Sequence, residues 1–338
     1  MRKLMTILAA GALALTLTIP AWAAGYKAEY KMSLRTSETS PWGAGAQKFA
    51  DLVREKSAGK INIKCYFNGS LFADDQTKEF MMLKQGVADF ALGSTINWSP
   101  QIRSLNLFSL PFLFPSYEAL DKVKKGATGQ KLLAEIEKFN VITLAWGENG
   151  YRELTNRIKP VVTPADLDGM KVRAVGSPIF KDTFAALGAN PVLMSWGDAL
   201  TAFQQGTVDG QENPVNVIII PYKIYQYHKY ITIWHYTIDP LVLAVNKDTL
   251  KSFSEADQKL IQQAADEAMA WQLNEARTGL TGDLASLKKL QAEGMEVTVL
   301  TPEQMMAFKA KCKPVWDKWV PQIGEEIVKA AQADMQGK

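Results

Sequence analysis

The chain has 338 residues, room for two domains of ordinary size, and its 47% hydrophobic and 22% charged composition is that of a folded globular protein. Its 38 Lys and Arg against 35 Asp and Glu leave a net charge of +3, no excess to hold a polyanion, so nucleic acid is not an expected partner. With two histidines, His228 and His235, and two cysteines, Cys65 and Cys312, neither a finger-type zinc site nor a disulfide framework can be assembled.

Met1-Arg2-Lys3 is a basic start, residues 4 to about 19 are apolar, and Pro20 precedes the small-x-small pattern Ala21-Trp22-Ala23. This reads as a secretory signal peptide over 1–23, cleaved after Ala23. An uncleaved anchor is the alternative, for which the run is barely long enough. The first cysteine is Cys65, so no lipid-modified cysteine heads the mature chain. Loss of Arg2 and Lys3 takes the charge from +3 to +1. A soluble periplasmic protein is expected. In that oxidising compartment Cys65 and Cys312 could pair. Sequence alone does not bring their Cα atoms to bridging distance, and two buried thiols are the simpler expectation.

Alternation over 28–34 predicts a first strand, and Pro41 precedes a helix over about 42–56 with Ala46, Phe49, Ala50 and Val53 at helical spacing. A strand at 61–67, a helix at 74–86 and a short strand at 89–93 follow. Ser116 caps a further helix, another covers 130–139, and 141–146 is a buried strand. The pattern restarts near Gly150. Strands at 152–156, 171–175, 191–194 and 208–211 alternate with helix starts at Thr163-Pro164, Ser177-Pro178, Gly197 and Asn213-Pro214. After strands at 230–236 and 241–246 the remainder reads as almost wholly helical. Ser254 caps a long helix there, and Thr301-Pro302-Glu303-Gln304 offers a capping box. This grammar predicts an α/β protein with parallel sheets covered on both faces, in two lobes hinged about a cleft.

No G-x-S-x-G, P-loop, G-x-G-x-x-G or H-E-x-x-H motif is present, and no catalytic residue is assigned. His228 and His235 flank a strand with no carboxylate pattern to orient them and are read as structural. The informative segment is 150–215. Arg173 interrupts the apolar strand Val172-Arg173-Ala174-Val175, which ends at Gly176 before a helix. Ligands of parallel α/β sheets sit beyond strand carboxyl ends, beside helix N-termini that favour anions. A guanidinium there either holds a carboxylate through two parallel hydrogen bonds or pairs with a neighbouring Asp or Glu. Asn213 is either an N-cap or a cleft amide, and Trp196, also at a strand end, is either core or ligand wall.

Gly150-Tyr151-Arg152-Glu153-Leu154-Thr155-Asn156, Asp166-Leu167-Asp168-Gly169-Met170-Lys171-Val172-Arg173 and Val208-Asp209-Gly210-Gln211-Glu212-Asn213-Pro214 resemble, in order and spacing, the tripartite ATP-independent periplasmic (TRAP) transporter solute-binding proteins. Leu110-Pro111-Phe112-Leu113-Phe114 and Asn246-Lys247 fit as well, and the resemblance spans essentially the whole mature chain. It implies a two-lobed periplasmic binding protein fold, type II-like, with hinge strands and a long bridging helix from Ser254 to about Leu290. The first lobe would take 24–149 with about 238–277, and the second 150–237 with about 278–338 and the C-terminal helices.

The resemblance further implies a cleft that closes on a small organic acid and hands it to TRAP permease membrane subunits, with no cofactor and no metal, from what is expected to be a monomer. Arg173 would pair with the carboxylate, Arg152 and Asn213 would be secondary polar contacts, and Trp196 would stand against the ligand. Positions matching Ser94 and Asn97 are charged in the sialate-binding branch and neutral here, which argues against sialate. Thr39, Ser40, Trp42, Trp98, Trp146 and Glu148 are further expected cleft residues without a family match. A C4-dicarboxylate, a sugar acid or an aromatic or keto acid all suit such a pocket. An extracytoplasmic hydrolase or lyase acting on a carboxylate, and a binding protein of an ABC importer, are the alternatives.

Overall fold

Residues 25–337 are described in a computed structural model, and the expected signal peptide lies outside them. Two sheets organise the chain. The first has the order β2-β1-β3-β10-β4, from β1 (Tyr30–Ser33), β2 (Ile63–Tyr66), β3 (Phe90–Ser94), β4 (Val141–Tyr151) and β10 (Ile238–Asn246). The second has the order β11-β9-β5-β8-β6-β7, from β5 (Glu153–Asn156), β6 (Lys171–Ala174), β7 (Asn190–Leu193), β8 (Gly210–Asn213), β9 (Tyr230–Ile233) and β11 (Glu296–Val299).

The sheets are not wholly parallel, as the strand–helix alternation implied. In the first, β10 runs antiparallel to β3 and β4; in the second, β5 runs antiparallel to β8 and β9. The cause lies in the connections. β4 is followed at once by β5, and β9 leads within a few residues to β10. Neither passage has a crossover helix to turn the chain round, so the strand arriving from the other sheet is the antiparallel one. Gly150 sits at one passage with φ +118°, a conformation L side chains rarely adopt.

The helix Glu255–Arg277, capped by Ser254 Oγ on the Asp257 amide at 3.1 Å, lies across the helix Pro41–Lys56 and β4. Its buried Gln272 is tied to Glu148 twice, accepting from the Glu148 amide at 2.8 Å and donating to the Glu148 carbonyl at 2.7 Å. It ends at Arg277, short of the expected Leu290, and a separate helix, Ala285–Ala292, follows. β11 lies in the region read as helical. The last helix, Glu325–Gln336, was expected with the second lobe but packs on Tyr117–Lys125 and Ala127–Glu137, where the Thr128 amide donates to Asp334 at 3.1 Å. Cys65 and Cys312 do not pair, and burial pushes both thiols up to about 12.

Trp98, expected in the cleft, is core. The four-residue helix Thr95–Trp98 folds it back over β3, where its ring lies 5.0 Å from that of Phe80 and its Nε1 donates to Glu79 at 3.2 Å. The indole occupies the space above Gly93, where a Cβ would fall 2.2 Å from the ring. Gly93→Ala is therefore expected to destabilise the protein by about 1–3 kcal/mol through overpacking, read as a lowered midpoint in denaturant titration; an unchanged midpoint would show that β3 yields freely.

Candidate functional site

Between the sheets lies a narrow cavity. Strand ends and helix starts from both lobes line it. From the second lobe come Arg173 on β6, Trp196 at the head of the helix Trp196–Gln205 and Asn213 at the end of β8. From the first come Ser94 at the end of β3 and Asn97 in the turn after it. Arg152, between the lobes, reaches it as well. With Trp42, seven of the twelve sequence candidates meet in one place.

Arg173 is 1% exposed, and no carboxylate lies within 4 Å of it among the described residues. Among the described residues its side chain makes one hydrogen bond, from Nη2 to the Met194 carbonyl at 2.9 Å, and its Nε–H makes none. The guanidinium lies over the Trp196 ring at 5.4 Å. Burial, joined by the neighbouring charges of Arg152 and Arg35 and only partly offset by Glu212 and Asp74, pulls its pKa down to about 9. A carboxylate brought to this position would supply both a contact counter-charge and the missing acceptor.

Arg152 is committed elsewhere. Its Nε and Nη2 grip the fully buried Glu212, with Nη2 at 2.7 Å from Oε1 and 2.8 Å from the Glu212 carbonyl. The Tyr236 hydroxyl donates to the same carboxylate at 2.6 Å. Burial opposes the Arg152 charge, but Glu212 more than compensates and raises its pKa. Asn213 is the last residue of β8, not a helix cap. Its Nδ2 donates to Gln211 Oε1 at 2.5 Å, Gln211 donates to Thr155 at 2.7 Å, and Thr155 Oγ1 lies 2.8 Å from His228 Nδ1. This relay through the sheet fixes the Asn213 amide.

Ser94 is 2.7 Å from Asp239 Oδ1, and Asn97 Oδ1 accepts from Gln76 at 2.9 Å. Glu148 lies in a buried ionic cluster with Lys124 at 3.3 Å and Arg277 at 2.5 Å, and Arg277 also holds Asp121 at 2.7 Å. It therefore ties the long helix to β4 and does not line the cavity. Thr39 is exposed, bonded only to Ser37 at 3.0 Å. Ser40 is spent on the Val217 carbonyl at 2.7 Å, and Trp146 packs edge-on against Phe108 at 5.8 Å.

Sequence reading missed Arg35, Thr36, Gln76, Asn149 and Asp239 on the cavity wall. Arg35 and Thr36 follow β1 directly, so the strand-end argument that selected Arg173 would have found them. Asp239 gave no such signal, because β10 was not foreseen as antiparallel and its start was not recognised as a cavity end. Burial raises the Asp239 pKa against the opposing pull of Arg152, Asn149, Ser94 and Thr95. Arg35 Nε, Thr36 Oγ1, Gln76 Oε1, Asn149 Oδ1, Arg173 Nε and Trp196 Nε1 are all buried and without hydrogen bonds in the protein. Buried polar atoms are rarely left so, and their convergence on one cavity marks a polar ligand.

The model of a family described as DctP, bacterial extracellular solute-binding protein, family 7, matches residues 32–322. The C4-dicarboxylate-binding periplasmic protein DctP of Shewanella loihica is 30% identical over 316 residues, 94% of this chain and 92% of that protein. A TRAP periplasmic solute-binding protein of Ralstonia eutropha H16, solved with bound (S)-2-hydroxy-2-methyl-3-oxobutanoate, is 48% identical with a TM-score of 0.91, covering 93% of this chain and 100% of that one. Another from Sulfurospirillum deleyianum, with bound succinate, is 28% identical with a TM-score of 0.83, covering 90% and 98%.

His228, at the far end of the Asn213 relay, gives a pH test. Burial, reinforced by Arg157, lowers its pKa to about 3, so the folded protein excludes a proton that the unfolded chain binds below about 6.5. Its contribution is complete above that value and is lost as pH falls towards the folded pKa. At pH 5 the wild type should lose about 2 kcal/mol from this group. In denaturant titrations at pH 7 and pH 5, His228→Gln should show that much less acid sensitivity; equal sensitivity would contradict a buried neutral imidazole.

Proposed function

We propose that this chain, which belongs to family 7 of the bacterial extracellular solute-binding proteins, holds its solute in the cavity between the lobes with Arg173 as the carboxylate-binding residue. It is a solute-binding protein of the TRAP type, and its solute is a small organic carboxylate. One observation carries the assignment to Arg173: a guanidinium 1% exposed, at a strand's carboxyl end, with no acidic partner and an unused Nε–H. Arg152 and Asn213 then shape the wall, Arg152 held on Glu212 and Asn213 on Gln211. Trp196 faces the ligand with its ring.

In this reading the mature protein begins after Ala23, works in the periplasm as a monomer, carries out no catalysis and binds no nucleic acid. Among the described residues no helix is long and apolar enough to cross a membrane. The passages at 151–153 and 233–238 serve as hinges, and a ligand touching both lobes favours the closed form. The closed, loaded form is the one the permease receives. An enzymatic reading has less support: His228 is bonded to Thr155 inside the sheet, and His235 to Glu153 at 2.5 Å, so neither lines the cavity.

The test is calorimetric titration with a panel of small carboxylates. Removing Arg173 leaves a desolvated carboxylate unpaired, so Arg173→Ala should cost roughly 3–5 kcal/mol of binding, about 10²–10⁴ in affinity. Arg173→Lys keeps the charge without the planar fork and should still weaken binding substantially. Arg152→Ala should act differently, destabilising the fold by about 3–5 kcal/mol because Glu212 is left buried without its partner. If Arg173→Ala binds like the wild type, the carboxylate is held elsewhere.

A further inference from the structure

Arg35 is the second guanidinium of the cavity with an unused Nε–H. Its outer nitrogens are occupied: Nη1 donates to the Asn68 carbonyl at 3.0 Å, and Nη2 pairs with Asp74 at 2.5 Å. Asp74 belongs to the loop after β2, at φ +65°, and reaches across to the other lobe. There its Oδ2 accepts from Ser195 Oγ at 2.6 Å and from the Gly197 amide at 3.0 Å, at the start of the helix that carries Trp196. The Arg35–Asp74 pair is thus held in place by closure of the two lobes.

The charges of the cavity then balance in a particular way. Asp74 neutralises Arg35 and Glu212 neutralises Arg152, while no lysine lines the cavity and Arg173 has no carboxylate partner. Asp239, the remaining acidic residue on the wall, already lies 3.9 Å from Arg152. With Asp239 counted, three carboxylates stand against three arginines and the unloaded site is neutral overall; Arg173 alone has no carboxylate within 4 Å among the described residues, so one negative charge finds a contact partner and a second finds none. The other unmade bonds call for neutral polar groups: Arg35 Nε needs an acceptor, and the amide oxygens of Gln76 and Asn149 need a donor.

Building on the carboxylate reading above, we infer that the ligand is a monoanion, a hydroxy- or oxo-substituted monocarboxylate, and that Arg35 is a specificity-determining residue donating Nε–H to its neutral oxygen. Asp74 is the positioning residue that cancels the Arg35 charge. A carbonyl oxygen accepts from Arg35, and a hydroxyl donates to Gln76 or Asn149. An unsubstituted dicarboxylate such as succinate brings a second charge to an ion pair already closed and has no proton for either amide oxygen.

Calorimetry with (S)-2-hydroxy-2-methyl-3-oxobutanoate, a monoanion, and succinate, a dianion, at neutral pH separates the outcomes. The wild type should prefer the monoanion by roughly tenfold or more, the worth of one hydrogen bond to a charged group. Asp74→Asn keeps an acceptor but frees the Arg35 charge, and should move the preference towards succinate by about tenfold. Arg35→Met should weaken the monoanion by roughly tenfold or more and change succinate less. Equal weakening of both acids by Asp74→Asn would reduce Asp74 to a lobe-to-lobe contact and overturn the inference. So would a wild type that prefers succinate. If the wild type binds neither of these acids nor any in the carboxylate panel, the carboxylate reading itself fails.

Discussion

A charged guanidinium buried without a carboxylate in contact is the constraint on which the rest of this site depends. The effective penalty for removing an ion from water is several kcal/mol, and Arg173 bears it with a single backbone hydrogen bond. The more distant Glu212 and Asp74 and the Trp196 ring offset only part of that cost. The other two arginines of the cavity are paired, Arg152 with Glu212 and Arg35 with Asp74. Arg173 is therefore the exception among the three arginines, and on the proposed reading a carboxylate ligand is what completes it.

The fold holds this exception in place from several sides. β6 carries Arg173 between β7 and β8, in register with Val192 and Gln211. β8 delivers Glu212 to Arg152 and Asn213 to the cavity from successive positions, which point to opposite faces of a strand. The relay from His228 through Thr155 and Gln211 to Asn213 leaves that amide little freedom. On the other lobe, Ser94, Thr95 and Asn149 converge on Asp239. Short strand passages join the two halves, and the bonds from Asp74 to Ser195 and Gly197 run between them.

Much of this was legible in the sequence wherever a residue's chemistry and its local pattern pointed the same way. An arginine in an apolar strand before a helix start singled out Arg173, which the fold puts on the cavity wall, and the restart of the strand–helix alternation at Gly150 coincides with the passage from β4 to β5. What local pattern could not carry was pairing at a distance. Arg152 looked like a cleft contact because Glu212 lies 60 residues away in the chain. Glu148 looked like a polar wall residue because Lys124 and Arg277 reach it from separate helices. Trp98 was read as a ligand wall because the close approach of its indole to Gly93 is a tertiary fact. The antiparallel direction of β10, which puts Asp239 on the cavity, follows from a chain passage with no sequence signature of its own.

The most direct measurement is the Nε–H resonance of Arg173 in nitrogen-15-labelled protein, assigned by its disappearance in Arg173→Lys and followed during titration with (S)-2-hydroxy-2-methyl-3-oxobutanoate. Formation of a charge-assisted hydrogen bond to a carboxylate should shift that resonance downfield and slow its exchange with solvent, saturating with the binding isotherm. A resonance that stays in place while the ligand saturates the protein would mean that Arg173 does not hold the carboxylate, and the account built on its unpaired charge would fall.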